Sequence, residues 1–577
     1  MDYKEKYESW INDSYFDEST RAELKAIAND DKEIKERFYK DLEFGTGGLR
    51  GIIGAGTNRI NIYTVGKATQ GLADYILQNS PCGKTKGVAI AYDSRNMSPE
   101  FARKAGLTMC ANGIKAYVFD SLRPTPELSF AVRHLGCIAG IVITASHNPP
   151  EYNGYKVYWQ DGGQVPYPRD GEIIEKVNAV ERFSDVKVME YDDAVKAGLY
   201  VTVGKEIDDE YIKNVKAQSL NPDVVSATAD SLRIVYTPLH GTGNIPVRRV
   251  LSETGFKNVY VVPQQELPDS SFSTVGYPNP EDPKAFTLAV ELARKVDADV
   301  IIGTDPDCDR VGAVVKNSDG EYVVLTGNMT GALLTNYVLS QRKLKGTLPA
   351  NGAVVKTIVT TEMIRPIAAE YGIKLFDVLT GFKYIGEKIK QFEETGDYSF
   401  VFGFEESYGC LSGTYARDKD AVVASMLISE LTAFYKAQGK TLYDGLIELY
   451  EKYGYYREGI TSITLKGIEG VEKIRYIMES LRKNPPKEFL GNNVMWLRDY
   501  TKNEFKNVLT GETEQNRLPS SNVLHYTLEN GDWVCVRPSG TEPKLKIYYG
   551  IKGTGLDDAE RKTEAMGAYM KELVESL

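Results

Sequence analysis

Gly113-Ile-Lys-Ala-Tyr-Val-Phe119, Gly255-Phe-Lys-Asn-Val-Tyr-Val261 and Gly372-Ile-Lys-Leu-Phe-Asp-Val378 are three copies of one pattern. Each begins with glycine, an apolar residue and lysine, then continues as a strand. A helical stretch precedes each copy, at 98–112, 245–254 and 361–371, and the glycine supplies the left-handed backbone that closes a helix. Before those helices stand apolar strands at 88–92, 233–236 and 353–358. Strand, helix and strand with unbroken apolar runs predicts parallel pairing, with helices covering the sheet faces.

In each copy a third strand follows, at 140–144, 298–303 and 398–402. These strands run into Thr144-Ala-Ser-His-Asn-Pro149, Thr304-Asp-Pro-Asp-Cys-Asp-Arg310 and Gly403-Phe-Glu-Glu-Ser-Tyr-Gly409. Ligands of open α/β sheets bind beyond the carboxyl ends of strands. The expected fold is therefore three similar α/β domains, with mixed and mainly parallel sheets, around a central cleft. The C-terminal part reads differently: strands at 522–528 and 533–536 flank an Asn530-Gly531 turn, another strand spans 544–549, and a helix starts near Asp557. That predicts a fourth, α+β domain. The expected divisions are 1–205, 206–325, 326–455 and 456–577. The first forty residues read as charged helices, with Thr20 and Glu23 spaced as a capping box.

Charge and cysteine content narrow the function. A formal net charge of −11 argues against nucleic acid as a partner, because phosphate backbones demand basic surface. The six cysteines are scattered with no CxxC pair, which suits a reduced protein rather than a disulfide scaffold. No apolar run approaches the ~20 residues of a membrane span, and the start lacks a signal-peptide core. The expectation is a cytoplasmic protein with no membrane partner; oligomeric state is not legible.

Asp305, Asp307 and Asp309 alternate just past an apolar strand. Three converging carboxylates repel, and a hard divalent cation with oxygen ligands resolves the conflict. An EF-hand does not fit, since Arg310 stands where the loop needs glycine and Lys316 where it needs glutamate. Arg310 beside the triad suits a phosphate. Ser146 is not in a G-x-S-x-G elbow, and alone its turn is ordinary hydrogen-bonding punctuation. Placed opposite a metal loop it becomes a candidate nucleophile needing a base, for which His147 and Lys156 are nearby. Lys156 could serve if cationic surroundings lowered its pKa.

Arg537-Pro-Ser-Gly-Thr541 combines a guanidinium, two hydroxyls and free amides, the makings of a phosphate cradle. The loop Gly45-Thr-Gly-Gly-Leu-Arg50 is a weaker phosphate signal, and Gly83-Lys-Thr85 is no Walker loop because Gln78 replaces the first glycine. Glu405, Ser407 and Lys383 suit sugar hydroxyls. His134 and His525 read as structural, and His240 as a possible lining of the cleft.

With these four loops together, the chain resembles the α-D-phosphohexomutase superfamily over nearly its whole length. Its size, N-terminal extension and Glu-Glu-Ser form look like the longer phosphoglucomutase branch, which also holds phosphopentomutases. The resemblance implies an intramolecular phosphotransferase interconverting glucose 1-phosphate and glucose 6-phosphate, with glucose 1,6-bisphosphate as intermediate and activator. It implies that Ser146 is the phosphoserine and shares Mg2+ with Asp305, Asp307 and Asp309. Arg50 and Arg310 would neutralise the moving group, and Lys156 and His147 would handle protons. Thr380, Gly381, Lys383, Glu405, Ser407 and Lys419 would contact the sugar phosphate. Arg537, Ser539, Gly540 and Thr541, with Lys546, would hold the resting phosphate.

Pentose or mannose phosphates are alternative substrates within the same superfamily. Two other readings compete: an aspartyl-phosphate phosphatase with Asp305 as nucleophile, and a sugar-phosphate-binding protein without catalysis.

Overall fold

Four sheets, one per unit, order the chain in the computed structural model, which describes residues 2–43, 48–465, 467–539 and 544–577. In the first unit, Val88–Tyr92 pairs in parallel with Ala116–Phe119 and with Ala139–Ile143. The latter turns antiparallel onto Tyr152–Trp159, which pairs in turn with Gly48–Ile52. The second unit repeats the theme: Arg233–Thr237 lies between Asn258–Val261 and Val300–Thr304 in parallel, followed by antiparallel Val311–Lys316. In the third, Gly352–Thr357 lies between Lys374–Val378 and Ser399–Glu405. The sheets are mixed, with parallel centres, as expected.

The parallel centres explain the apolar runs in the sequence. Every residue of Ala139–Ile143 and Val300–Thr304 is buried, because helices cover both faces. The helix Ala421–Lys436 is buried along almost its whole length, and its apolar residues share one core with the second and third units. Gly113, Gly255 and Gly372 all adopt positive φ after their helices. The fourth sheet is antiparallel, with Leu524–Leu528, Trp533–Pro538 and Lys544–Gly553 as neighbours. Its strand Tyr455–Thr464 directly follows the last helix of the third unit, Leu442–Tyr453, and so joins the two.

The N-terminal helices Tyr3–Asn12, Glu18–Ala26 and Asp31–Phe38 pack an aromatic cluster onto the first unit, with Trp10 stacked on Phe16 at 4.1 Å. The capping expectation is corrected here. Asp17, not Thr20, caps the second helix, and its carboxylate accepts from the Thr20 amide at 2.7 Å. Glu23 is instead engaged by Arg37 and the Ala55 amide. Among the described residues no helix is long and apolar enough to cross a membrane.

Candidate active site

The three loops predicted at strand ends meet. Ser146 Oγ donates to Asp305 Oδ2 at 2.7 Å, across a sequence separation of 159 residues. Arg310 reaches the Ser407 carbonyl at 3.1 Å, and the Val311 amide donates to the Tyr408 carbonyl at 3.0 Å. One residue in each loop, Ser146, Cys308 and Tyr408, takes a left-handed backbone with φ of 52°, 51° and 63°. Such conformations cost about 1–3 kcal/mol each and gather at functional sites.

Asp305, Asp307 and Asp309 are fully buried, with one carboxylate oxygen from each within 4.8 Å of the others. Burial and the two neighbouring carboxylates hold the Asp305 carboxyl well above the usual range. Burial works against the charge on Asp307 as well, but Lys156 at 2.8 Å pulls its pKa down. Asp307 Oδ1 and Asp309 Oδ1 are buried and make no hydrogen bond among the described residues, Arg310 Nε standing 3.8 Å from the second. Orphaned carboxylate oxygens in a dry, all-oxygen cluster are the donor set of a hard divalent cation, so these residues fit one.

Cations ring the triad. Lys419 Nζ lies 2.7 Å from Asp309 Oδ2, and Lys156 Nζ lies 3.5 Å from it. Burial disfavours the Lys156 ammonium, but Asp307 and Asp309 outweigh it and leave the pKa raised. The idea that cationic neighbours lower Lys156 is thus corrected: its nearest charged neighbours are carboxylates. His147 behaves oppositely. Burial, then Arg310 and Arg50, drive its pKa well below the ordinary value, so its ring is neutral with Nδ1 at 3.2 Å from Ser146 Oγ. Burial pushes the Glu405 carboxyl up to about 7, against Lys419 and Arg310.

A cavity of ≈ 820 Å³ adjoins this cluster through His147 and Arg310, while Ser146, the three aspartates, Lys156, Glu405 and Lys419 are not among its lining residues. Arg50, His147, Arg310, Ser407, Arg537, Ser539 and Lys546 all line it, so the structure gathers candidates from all four units. Gly540 and Thr541 lie outside the described residues, as do residues 44–47 of the glycine loop. Thr380, Gly381 and Lys383 are not among the lining residues; Lys383 Nζ stands 3.9 Å from Asp170 Oδ2. His240 does not line the cavity either. Its ring nitrogens meet the Leu267 carbonyl at 3.0 Å and Thr274 Oγ1 at 2.8 Å, a structural role.

Other residues support the site without standing out in the sequence. Arg95, fully buried, donates to the carbonyls of Ser146, Asn148, Pro149 and Tyr152, and so holds the serine loop. Its partner Asp93 accepts from Thr144 Oγ1 at 2.6 Å. Thr125 donates to Asp307 Oδ2 at 3.0 Å, and Glu281 pairs with Arg310 at 2.9 Å. Asp93-Ser-Arg95 sits just past the strand Val88–Tyr92, the same strand-end position as the other loops, and that position is the signal by which sequence could find it.

The chain matches, in order, the phosphoglucomutase/phosphomannomutase α/β/α domain I over residues 41–183, domain II over 209–320, domain III over 326–453 and the C-terminal domain over 491–561. A phosphoglucomutase of Staphylococcus aureus strain USA300 is 38% identical over 540 residues, 93% of this chain and 94% of that one. Among solved structures, a protein of Thermus thermophilus described as a phosphomannomutase superposes with a TM-score of 0.67 at 23% identity, covering 93% of this chain and 99% of that one. The open form of pp63/parafusin, a phosphoglucomutase of Paramecium, gives 0.65 at 18% identity over 93% and 94%. These two share the fold. The four matched domains in register, with that bacterial relative, show that the chain belongs to the phosphoglucomutase/phosphomannomutase family of α-D-phosphohexomutases and is a phosphoryl-transferring mutase.

Proposed function

We propose that the chain interconverts glucose 1-phosphate and glucose 6-phosphate through phosphorylated Ser146, with glucose 1,6-bisphosphate as intermediate and primer. The observation that carries this reading is the 2.7 Å approach of Ser146 Oγ to a buried aspartate triad from another domain. Asp305, Asp307 and Asp309, with the phosphoryl group on Ser146, would hold Mg2+. When bound, the ion supplies charge neutralisation for the transferring group.

In the forward step the bond between phosphorus and Ser146 Oγ breaks as a bond to a sugar hydroxyl oxygen forms. The hydroxyl proton passes to a base, for which His147, lining the cleft with Nδ1 3.2 Å from Ser146 Oγ, is the candidate, a weak base until bound phosphate offsets Arg310 and Arg50. Lys156, kept protonated, and Arg310 offset charge on the moving group. Glu405 and Ser407 orient sugar hydroxyls, while Arg537, Ser539 and Lys546 hold the resting phosphate across the cleft. The bisphosphate then turns and returns its other phosphoryl group to Ser146. Catalysis of this kind is mostly positioning and electrostatics. In the same proposal Gly540, Thr541, Thr380, Gly381, Lys383 and Lys419 complete the sugar-phosphate contacts, and the units divide at 1–205, 206–325, 326–455 and 456–577.

The test is glucose 6-phosphate formation from glucose 1-phosphate with Mg2+ and bisphosphate primer, run beside ribose 1-phosphate and mannose 1-phosphate. Glucose 1-phosphate should turn over fastest, and Ser146→Ala should abolish it. Labelled wild type should keep its phosphate through hydroxylamine, which cleaves acyl phosphates. Loss of label to hydroxylamine would move the nucleophile to an aspartate; faster pentose turnover would overturn the sugar.

A further inference from the structure

A second cavity, of ≈ 630 Å³, lies between the third unit and the C-terminal unit, and none of its lining residues lines the active cleft. Its size falls in the range of roughly 300–1,000 Å³ typical of small-molecule sites, which favour domain junctions. The wall between the two cavities is one apolar cluster. Val359 and Tyr548 of that cluster face the cleft, whereas Ile358, Tyr500, Phe505 and Trp533 face the second cavity.

The lining has a definite chemistry. Five cations reach it: Arg365, Lys374, Lys388, Arg498 and Arg517. Its three carboxylates are already engaged. Glu362 and Asp377 pair with buried Lys356 at 2.9 Å and with Arg365, and Glu514 lies 3.6 Å from Arg498. Lys374, Lys388 and Arg517 make no ion pair among the described residues, Lys388 donating to Gln391 Oε1 at 2.8 Å and lying 5.7 Å over the Phe376 ring, and the three come from both walls. The same lining holds the rings of Phe376, Phe505, Trp533 and His525, whose buried Nδ1 has no hydrogen-bond partner among the described residues. Unpaired cations around aromatic faces select a flat ring bearing an anionic group.

We propose that this cavity is an effector site for an organic phosphate carrying a planar aromatic ring. A molecule held there touches both units, so its binding energy depends on their mutual orientation. That orientation also sets where Arg537 and Lys546 stand in the cleft. The ligand therefore biases the joint, and coupling of this kind is reciprocal. The inference rests on the cavity and its charges, not on the choice of sugar.

The test is calorimetric titration of the full chain with 1-naphthyl phosphate. One saturable site is expected, with a Kd of roughly 10 µM to 1 mM. The double variant Lys374→Glu, Arg517→Glu, which alters exposed side chains, should weaken it at least about tenfold. Arg537→Ala, in the cleft, should leave it unchanged. No saturable binding up to about 5 mM would overturn the proposal. So would a loss of binding that follows Arg537→Ala and spares the charge reversals.

Discussion

Arg95 donates to the carbonyl oxygen of Ser146 at 2.6 Å, fixing from behind the backbone that presents the serine hydroxyl to Asp305. The guanidinium is fully buried and spreads its donors over four carbonyls of one loop, a task a planar fork performs and an ammonium does not.

Arg95→Lys should therefore keep the charge opposite Asp93 but release part of the loop. The expected result is a fall in kcat of about a hundredfold with a smaller change in KM, since a misplacement of about 1 Å costs that much. Steady-state kinetics beside a urea melt would check it. A variant with unchanged kcat would show that the serine loop holds itself. Arg95→Met goes further, stranding buried Asp93, and should cost about 3–5 kcal/mol of stability.

Divalent metal should stabilise the fold as well as the reaction. The triad is buried and two of its oxygens are orphaned, so a bound cation relieves repulsion present in the folded state and absent in the unfolded one. At a hundred times its Kd, Mg2+ should add about 2.7 kcal/mol to unfolding. Chelation should remove both that increment and the activity. In Asp307→Asn the melting temperature should no longer respond to Mg2+; an undiminished response would place the ion elsewhere.

Some of this is open to reading in the chain and some is not. The three-fold repeat shows because parallel strands buried on both faces leave unbroken apolar runs, as in Ala139–Ile143 and Val300–Thr304. The triad shows because its aspartates alternate within five residues. Arg95 and Thr125 do not, since their partners lie 51 and 182 residues away. Arg95, moreover, binds backbone carbonyls, which carry no sequence signature. Lys156 misleads because its environment comes from a different domain. The helix cap misleads because Asp17 and Thr20 both have side chains able to cap, and only the packing of Glu23 against Arg37 separates them.

Acid should loosen the joint between the third and fourth units through His525. Its ring stacks on Trp533 at 5.5 Å, and burial, then Arg498, lower its pKa from 6.5 to about 3. The folded form thus binds fewer protons than the unfolded form between those values, so stability is intact above 6.5 and falls as pH drops toward 3. A shift of this size corresponds to about 5 kcal/mol at most. His525→Phe keeps a ring on Trp533 and removes the titration. The difference in urea midpoint between pH 7 and pH 4.5 should shrink in that variant, and an equal difference would absolve His525.

Glu281 competes with substrate for Arg310. The carboxylate lies 2.9 Å from the guanidinium that faces the cleft, so an incoming phosphate must share or displace that partner. The pair is partly exposed, which limits it to about 0.2–1 kcal/mol. Glu281→Gln removes the charge and keeps the shape. KM for the sugar phosphate should then fall about two- to fivefold, with kcat nearly unchanged, because the interaction lost is with free enzyme. The effect should fade at high salt, where exposed charges are screened. A rise in KM would mean the reverse: Glu281 aims Arg310 at the phosphate rather than holding it back.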